Sequence, residues 1–141
     1  MSPLVIISGV RTPFSKAGTS LAKLSAADLG AAAVKALLAR TPIDPALLSE
    51  VIFGCVGQPA DAANVARVIA LRAGLPQSVP AATVHRNCAS GLEALTTAHE
   101  RLQAGRGDVF VVGGTESMSN YPLQFPAAAA EKFGRLARAT S

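Results

Sequence analysis

Among the residues of this chain that can do covalent chemistry are two cysteines and two histidines, and Cys88 has the most favourable setting. It lies in Val84-His85-Arg86-Asn87-Cys88-Ala89-Ser90-Gly91-Leu92, where an extended run turns into a helical one. A helix start stabilises a thiolate, because its first amides lack intrahelical partners and carry partial positive charge. The same amides can donate hydrogen bonds to an oxygen that becomes negative during acyl transfer. The pattern therefore describes an acyl-accepting cysteine. Ala89, Ser90 and Gly91 are small and leave the helix start open to an approaching acyl group. A glycine in the first turn costs helix stability, which access or close packing would offset. The competing reading is the usual one for a free cysteine, a small buried hydrophobe.

A thiol nucleophile needs a base. His85 is nearest in sequence, but the strand placement makes it a packed strand histidine with no assured reach to the sulfur. His99 lies about three helical turns beyond Cys88, too far along the axis. Cys55 follows Gly54 at the end of an apolar run and reads as inert. The Cys and His positions lack paired ligand spacing, so no metal site is expected. Gly113-Gly114-Thr115-Glu116-Ser117-Met118 has neither the Walker lysine nor the Gly-x-Gly-x-x-Gly order. It reads as a tight turn packed near the Cys88 helix.

Alternating strands and helices must position these residues. Leu4 to Ile7 reads as a buried strand. Ser25-Ala26-Ala27-Asp28 has capping-box form, and Leu29, Ala33 and Leu37 recur at helical spacing until Thr41-Pro42. Asp44-Pro45 opens one short helical turn. Val51-Ile52-Phe53 is the second strand. A helix beginning at Asp61 or Ala62 runs to Gly74, with Pro76 beyond it. Ala82 to His85 is the third strand, and the helix after Cys88 ends near Gly105. Val109 to Val112 reads as a strand buried on both faces, ended by Gly113-Gly114. The Pro-containing tail holds a run from Ala127 to Arg135 that is helical in character but weakened by Gly134. The sheet looks unfinished, since nothing after Val112 resembles a neighbouring strand.

The chain has 141 residues, enough for one domain with a core. It is half hydrophobic and 16% charged, which excludes disorder by composition. A formal charge of +4 is spread thinly, apart from Lys132, Arg135 and Arg138, and reads as a solvated helix face rather than a nucleic-acid surface. The opening residues do not form a signal peptide, and no run is long enough to span a bilayer. Two cysteines make no disulfide framework, so a cytoplasmic protein without a membrane or nucleic-acid partner is expected.

Several segments together resemble the thiolase family, the acyl-CoA acyltransferases that form or cleave 3-ketoacyl-CoA. They are Val10-Arg11-Thr12-Pro13-Phe14, Asn64-Val65-Ala66-Arg67, Ala73-Gly74-Leu75-Pro76 and Val79-Pro80-Ala81. Two more specific ones follow: Asn87-Cys88-Ala89-Ser90-Gly91-Leu92 and Gly113-Gly114-Thr115-Glu116-Ser117-Met118-Ser119. The resemblance covers residues 4 to 122. It implies that Cys88 is the catalytic cysteine that carries the acyl group as a thioester, with its backbone amide contributing to an oxyanion site. Asn64, Arg67, Glu116 and Met118 are then supporting structure. It implies acyl-CoA and CoA as partners, with coenzyme A as co-substrate and no permanently bound cofactor, and a homo-oligomer in the complete enzyme.

Thiolases resemble this chain only over their opening portion. They are longer, with two similar α/β halves and an inserted loop domain. Their activating His, in a Gly-His-Pro segment, and their second cysteine, in a Cys-x-Gly-Gly-Gly segment, lie in the second half. This sequence contains neither segment. The expected fold is therefore α/β: a layered thiolase-like half-fold, apparently truncated, with a mixed, mainly parallel sheet flanked by helices. Residues 1–119 would form the incomplete amino-terminal domain, and 120–141 the start of the loop domain. The expected function is the amino-terminal part of a thiolase, inactive alone. The alternatives are a non-catalytic dimerisation or binding module and a fragment of a ketoacyl-synthase-like condensing enzyme.

Overall fold

The computed structural model describes residues 3–139. The elements run α1 (Ala26–Arg40), β1 (Glu50–Gly54), α2 (Val65–Arg72), β2 (Ala81–Val84), α3 (Ser90–Gln103), β3 (Phe110–Gly114) and α4 (Ala127–Ala139). Single turns of tighter helix occupy Pro45–Leu47 and Met118–Asn120.

The three strands form one parallel sheet in the order β2-β1-β3. Val51 pairs with Ala81 on one side and with Val111 on the other. Central β1 is buried along nearly its whole length, and its alternating side chains feed two cores. Val51 and Phe53 join Val34, Val65, Ile69 and Val111 in the larger core, under α1 and α2. Ile52 meets Ala94 and Ala98 of α3 in the smaller one, beside Val84, Phe110 and Val112. This gives three layers, helices on both faces of a parallel sheet, as the α/β reading required.

Local chemistry sets the helix ends. Ser25 Oγ accepts from the Asp28 amide and Asp28 returns the bond to the Ser25 amide, the capping box read from the sequence. Asp44 caps the Pro45 turn through the Ala46 amide. Gly74 takes a left-handed φ of 86° just beyond α2, as a helix-ending glycine does.

Five expectations need correction. Leu4 to Ile7 is not a strand: no ladder partner lies beside it among the described residues, and Val5, Ile6 and Ile7 are 70–73% exposed. Strand propensity without a neighbouring edge leaves a run extended and unpaired. The helix placed at Asp61 starts at Val65, because Pro59 to Ala62 closes its own turn and Asn64 caps the Arg67 amide. Gly113-Gly114 does not stop the strand at Val112 but forms its last two residues. Both residues pair with β1, and a Cβ on Gly113 would lie 2.7 Å from the Phe53 ring, so the strand needs glycine there to pass. Val111 is buried, but Phe110 and Val112 are only half-buried, since β3 is an edge strand. His85 is exposed just past β2 rather than packed within it.

Candidate active site

Cys88 stands at the carboxyl end of the sheet, in the turn that carries the chain from β2 into α3. Open parallel sheets place their ligand crevices at this end. Its side chain is exposed, whereas the neighbouring strand end and the first residue of α3 are largely covered.

The turn is closed by its own hydrogen bonds. The Ala89 amide donates to the Arg86 carbonyl, and the Ser90 amide to the Asn87 carbonyl. Ser90 Oγ accepts from the Arg86 amide at 2.8 Å and donates to the Asn87 carbonyl at 2.7 Å. Asn87 has a φ of 48°, the one non-glycine residue with positive φ among those described. Asparagine tolerates that region better than most residues. No side chain caps the helix at Ala89, so its first turn keeps an open end beside Cys88.

Glycines set the helix start directly on the sheet. A Cβ on Gly54 would fall 2.2 Å from the Ser90 carbonyl carbon and 2.7 Å from the Gly91 amide nitrogen. One on Gly114 would lie 3.1 Å from Gly91 Cα. The ends of β1 and β3 therefore meet the first turn of α3 backbone to backbone, which fixes where the cysteine turn projects.

Two polar networks brace the sheet. Thr83 Oγ1 donates to Asn64 Oδ1 and accepts from the Ala66 amide, while Asn64 Nδ2 donates to the Ala81 carbonyl. Arg67 donates to the carbonyls of Val79 and Gln77. Together they tie α2 to β2 and to the segment that leads into it. On the other side, Glu116 Oε2 accepts from the amides of Val56 and Gly57. Thr115 holds the Gly54 carbonyl through its amide and the Ala26 carbonyl through its hydroxyl. The supporting roles expected of Asn64, Arg67 and Glu116 correspond to these bonds, whereas Met118 is 65% exposed.

Cys55 is buried, and its thiol lies 3.9 Å from Glu116 Oε1. Burial first, and the neighbouring carboxylate second, push this thiol up to about 11. His99 is exposed on α3, with its ring beside Gln103. Arg86 pairs with Glu93 in the first turn of α3. The structure thus brings neither histidine into hydrogen-bond contact with Cys88 among the described residues. Nor do those residues hold a group of three Cys, His, Asp or Glu suited to a metal. Sequence reasoning missed Gly54 and the use of the Ser90 hydroxyl. The run of small residues at 89–91 was the available signal, but it did not reveal which atoms they would meet.

A three-layer α/β domain with an exposed cysteine at a parallel strand end is an arrangement suited to acyl-transfer chemistry. The family described as "Thiolase, N-terminal domain" matches residues 4–138. The chain belongs to the thiolase family. It is 44% identical over 129 residues to acetyl-CoA acetyltransferase IA of Candida tropicalis, a match that covers 91% of this chain and 32% of that protein. The crystal structure of the Bacillus anthracis acetyl-CoA acetyltransferase superposes with a TM-score of 0.83 at 35% identity, over 86% of this chain and 31% of that one. Acat5 thiolase from Ascaris suum, solved in complex with coenzyme A, does so with a TM-score of 0.80 at 32% identity, over 85% and 31%. The chain spans about a third of the length of the curated relatives it matches. No helix among the described residues is long and apolar enough to cross a membrane.

Proposed function

We propose that this chain is the nucleophile-bearing part of an acyl-CoA acyltransferase, with Cys88 as its acyl-accepting residue. The observation that carries the reading is the exposed thiol at the open start of α3, held at the carboxyl end of the sheet in a chain of this family. The Cys88 sulfur bonds to the carbonyl carbon of an acyl thioester, the bond to the CoA sulfur breaks, and CoA leaves as the thiol. In the cleaving direction the sulfur attacks the 3-keto carbon instead. The bond between C2 and C3 then breaks, and the acetyl-CoA carbanion takes up a proton. A second thiol or carbanion removes the acyl group and frees Cys88. Coenzyme A is thus a co-substrate, and no cofactor stays bound.

The 141 residues by themselves lack steady turnover in this proposal. A base for the thiol and an acid for the leaving group each contribute about a hundredfold or more. Neither histidine contacts Cys88, and the Gly-His-Pro and Cys-x-Gly-Gly-Gly segments are absent from the sequence. Residues 120–141 belong, on this reading, to the start of a loop domain, which their exposed helix α4 supports. A homo-oligomer and a cytoplasmic setting are further parts of the proposal, the latter supported by two unpaired thiols. Incubation of the protein that carries this chain with acetoacetyl-CoA, followed by peptide mass spectrometry, tests the central claim. An acyl adduct on Cys88 that is absent from Cys88→Ala supports it, and an unmodified Cys88 at millimolar substrate rejects it.

A further inference from the structure

We propose that Ser90 is a positioning residue that aims the backbone amide of Cys88 at the oxyanion formed during acyl transfer. The inference rests on the reading of Cys88 as the nucleophile. Ser90 is one of two buried polar residues among those described, at 4% exposure. Its hydroxyl is committed within the turn, accepting from the Arg86 amide and donating to the Asn87 carbonyl. The Asn87 carbonyl accepts a second time, from the Ser90 amide at 3.0 Å. Two donors from one residue thus turn the Asn87 carbonyl in toward the first residue of α3.

The peptide between Asn87 and Cys88 is trans, since the described residues include no cis bond. A planar trans peptide points its C=O and its N–H in opposite directions. Holding the carbonyl inward therefore turns the Cys88 N–H outward, away from α3, on the residue whose thiol is exposed. Asn87 pays for the arrangement with its φ of 48°. Such a conformation persists only where surrounding bonds over-determine it. Without the hydroxyl the Asn87 carbonyl keeps only the Ser90 amide as donor and the Arg86 amide loses its acceptor, so the peptide is held less firmly. An alanine would fill the same space and suit a helix better, so packing and propensity give no reason for serine here.

Two reactions at the same sulfur separate this role from a merely structural one. Alkylation by iodoacetamide displaces iodide and forms no oxyanion. Acylation by p-nitrophenyl acetate forms the sulfur–acyl bond through an oxyanion and expels p-nitrophenolate. Both adducts on Cys88 are measured by peptide mass spectrometry in the protein that carries this chain. Ser90→Ala is expected to slow acylation about tenfold or more, in keeping with a misdirected oxyanion donor, and to change alkylation less than about twofold. Ser90→Thr keeps the hydroxyl and is expected to restore acylation. Equal losses in both reactions, or no loss in either, overturn the proposal. Where Ser90→Ala does not fold by circular dichroism, Asn87→Ala at the exposed position takes its place. It strains the same peptide, so a selective loss of acylation supports the role and an unchanged ratio overturns it. If the unaltered protein is alkylated but never acylated at Cys88, the nucleophile reading itself fails. If it is acylated normally in every variant, that reading stands and only the role of Ser90 is lost.

Discussion

At the scale of single residues, the two thiols differ by environment rather than by kind. Cys88 is exposed at an open helix start, while Cys55 is buried beside a carboxylate with its thiol pushed up to about 11. Limited iodoacetamide treatment is expected to label Cys88 well before Cys55, and equal labelling would count against a preformed site. The pH dependence of Cys55 has a definite sign. Its folded pKa lies above the ordinary value of 9.0, so the unfolded chain releases this proton first. Its contribution favours the folded state fully below about 9 and is lost as pH rises through about 11. Urea unfolding of Cys55→Ala beside the unaltered protein should show a weaker alkaline loss of stability in the variant. Cys88 and its turn were legible in the sequence because small residues follow a cysteine there. The Ser90 clamp was not, since a serine that bonds back across four residues looks like any other small residue.

At the scale of elements, the helix boundaries that were legible carried their signal in neighbouring residues. Ser25 and Asp28 cap α1 reciprocally, and Asp28 also pairs with Arg72 of α2 at 2.7 Å. Hydrogen bonds from Ser25 first, and then the Arg72 charge, lower the Asp28 pKa below its ordinary 3.8. Its stabilising contribution is therefore present above that value and lost as pH falls through the lowered one. Ser25→Ala is expected to cost about 1 kcal/mol at neutral pH by thermal or urea unfolding, and less in acid. Gly54→Ala should be far worse, about 3 kcal/mol or more, because its Cβ meets the Ser90 carbonyl carbon at 2.2 Å and backbone cannot step aside. Gly114→Ala, at 3.1 Å from Gly91 Cα, is expected to be milder. A Gly54→Ala protein as stable as the unaltered one would show that the helix start is not seated by that contact. These contacts join three elements distant in sequence, so no local pattern announced them. The start of α2 was misplaced for a similar reason: Asp61 and Asn64 both suit a cap, and the turn closed at Ala62 decides between them.

At the scale of the whole molecule, the α/β order was legible from alternating apolar runs and helix signals. The pairing was not. Leu4 to Ile7 carries the composition of a strand, yet only position in the sheet makes a strand, and this run lies exposed with no ladder partner among the described residues. Edge strand β3 has one paired side, toward β1, and α4 carries Phe133 and Leu136 exposed to solvent. Unpaired edges and exposed apolar runs favour association between chains. The 141 residues alone are expected to self-associate, with sedimentation showing species heavier than a monomer at tens of micromolar. A cooperative monomer across that range would contradict this. Replacing Val5 and Ile7 with threonine should shift the distribution toward monomer without loss of helix content, since neither residue belongs to a core.

The parallel register of β1 also governs the order in which the chain can fold. Val51 finds its first partner only at Ala81 and its second only at Val111. Among the described residues no hairpin offers an early local pairing, so every rung of the sheet closes a long loop before it gains a contact. During synthesis the middle strand emerges first and waits, flanked by helices that can form before their sheet exists. Its second edge stays open until the Gly113-Gly114 segment leaves the ribosome. The cysteine turn takes its final geometry only with Gly54 and Gly114 both seated against the first turn of α3, so it depends on both ends of the sequence between β1 and β3.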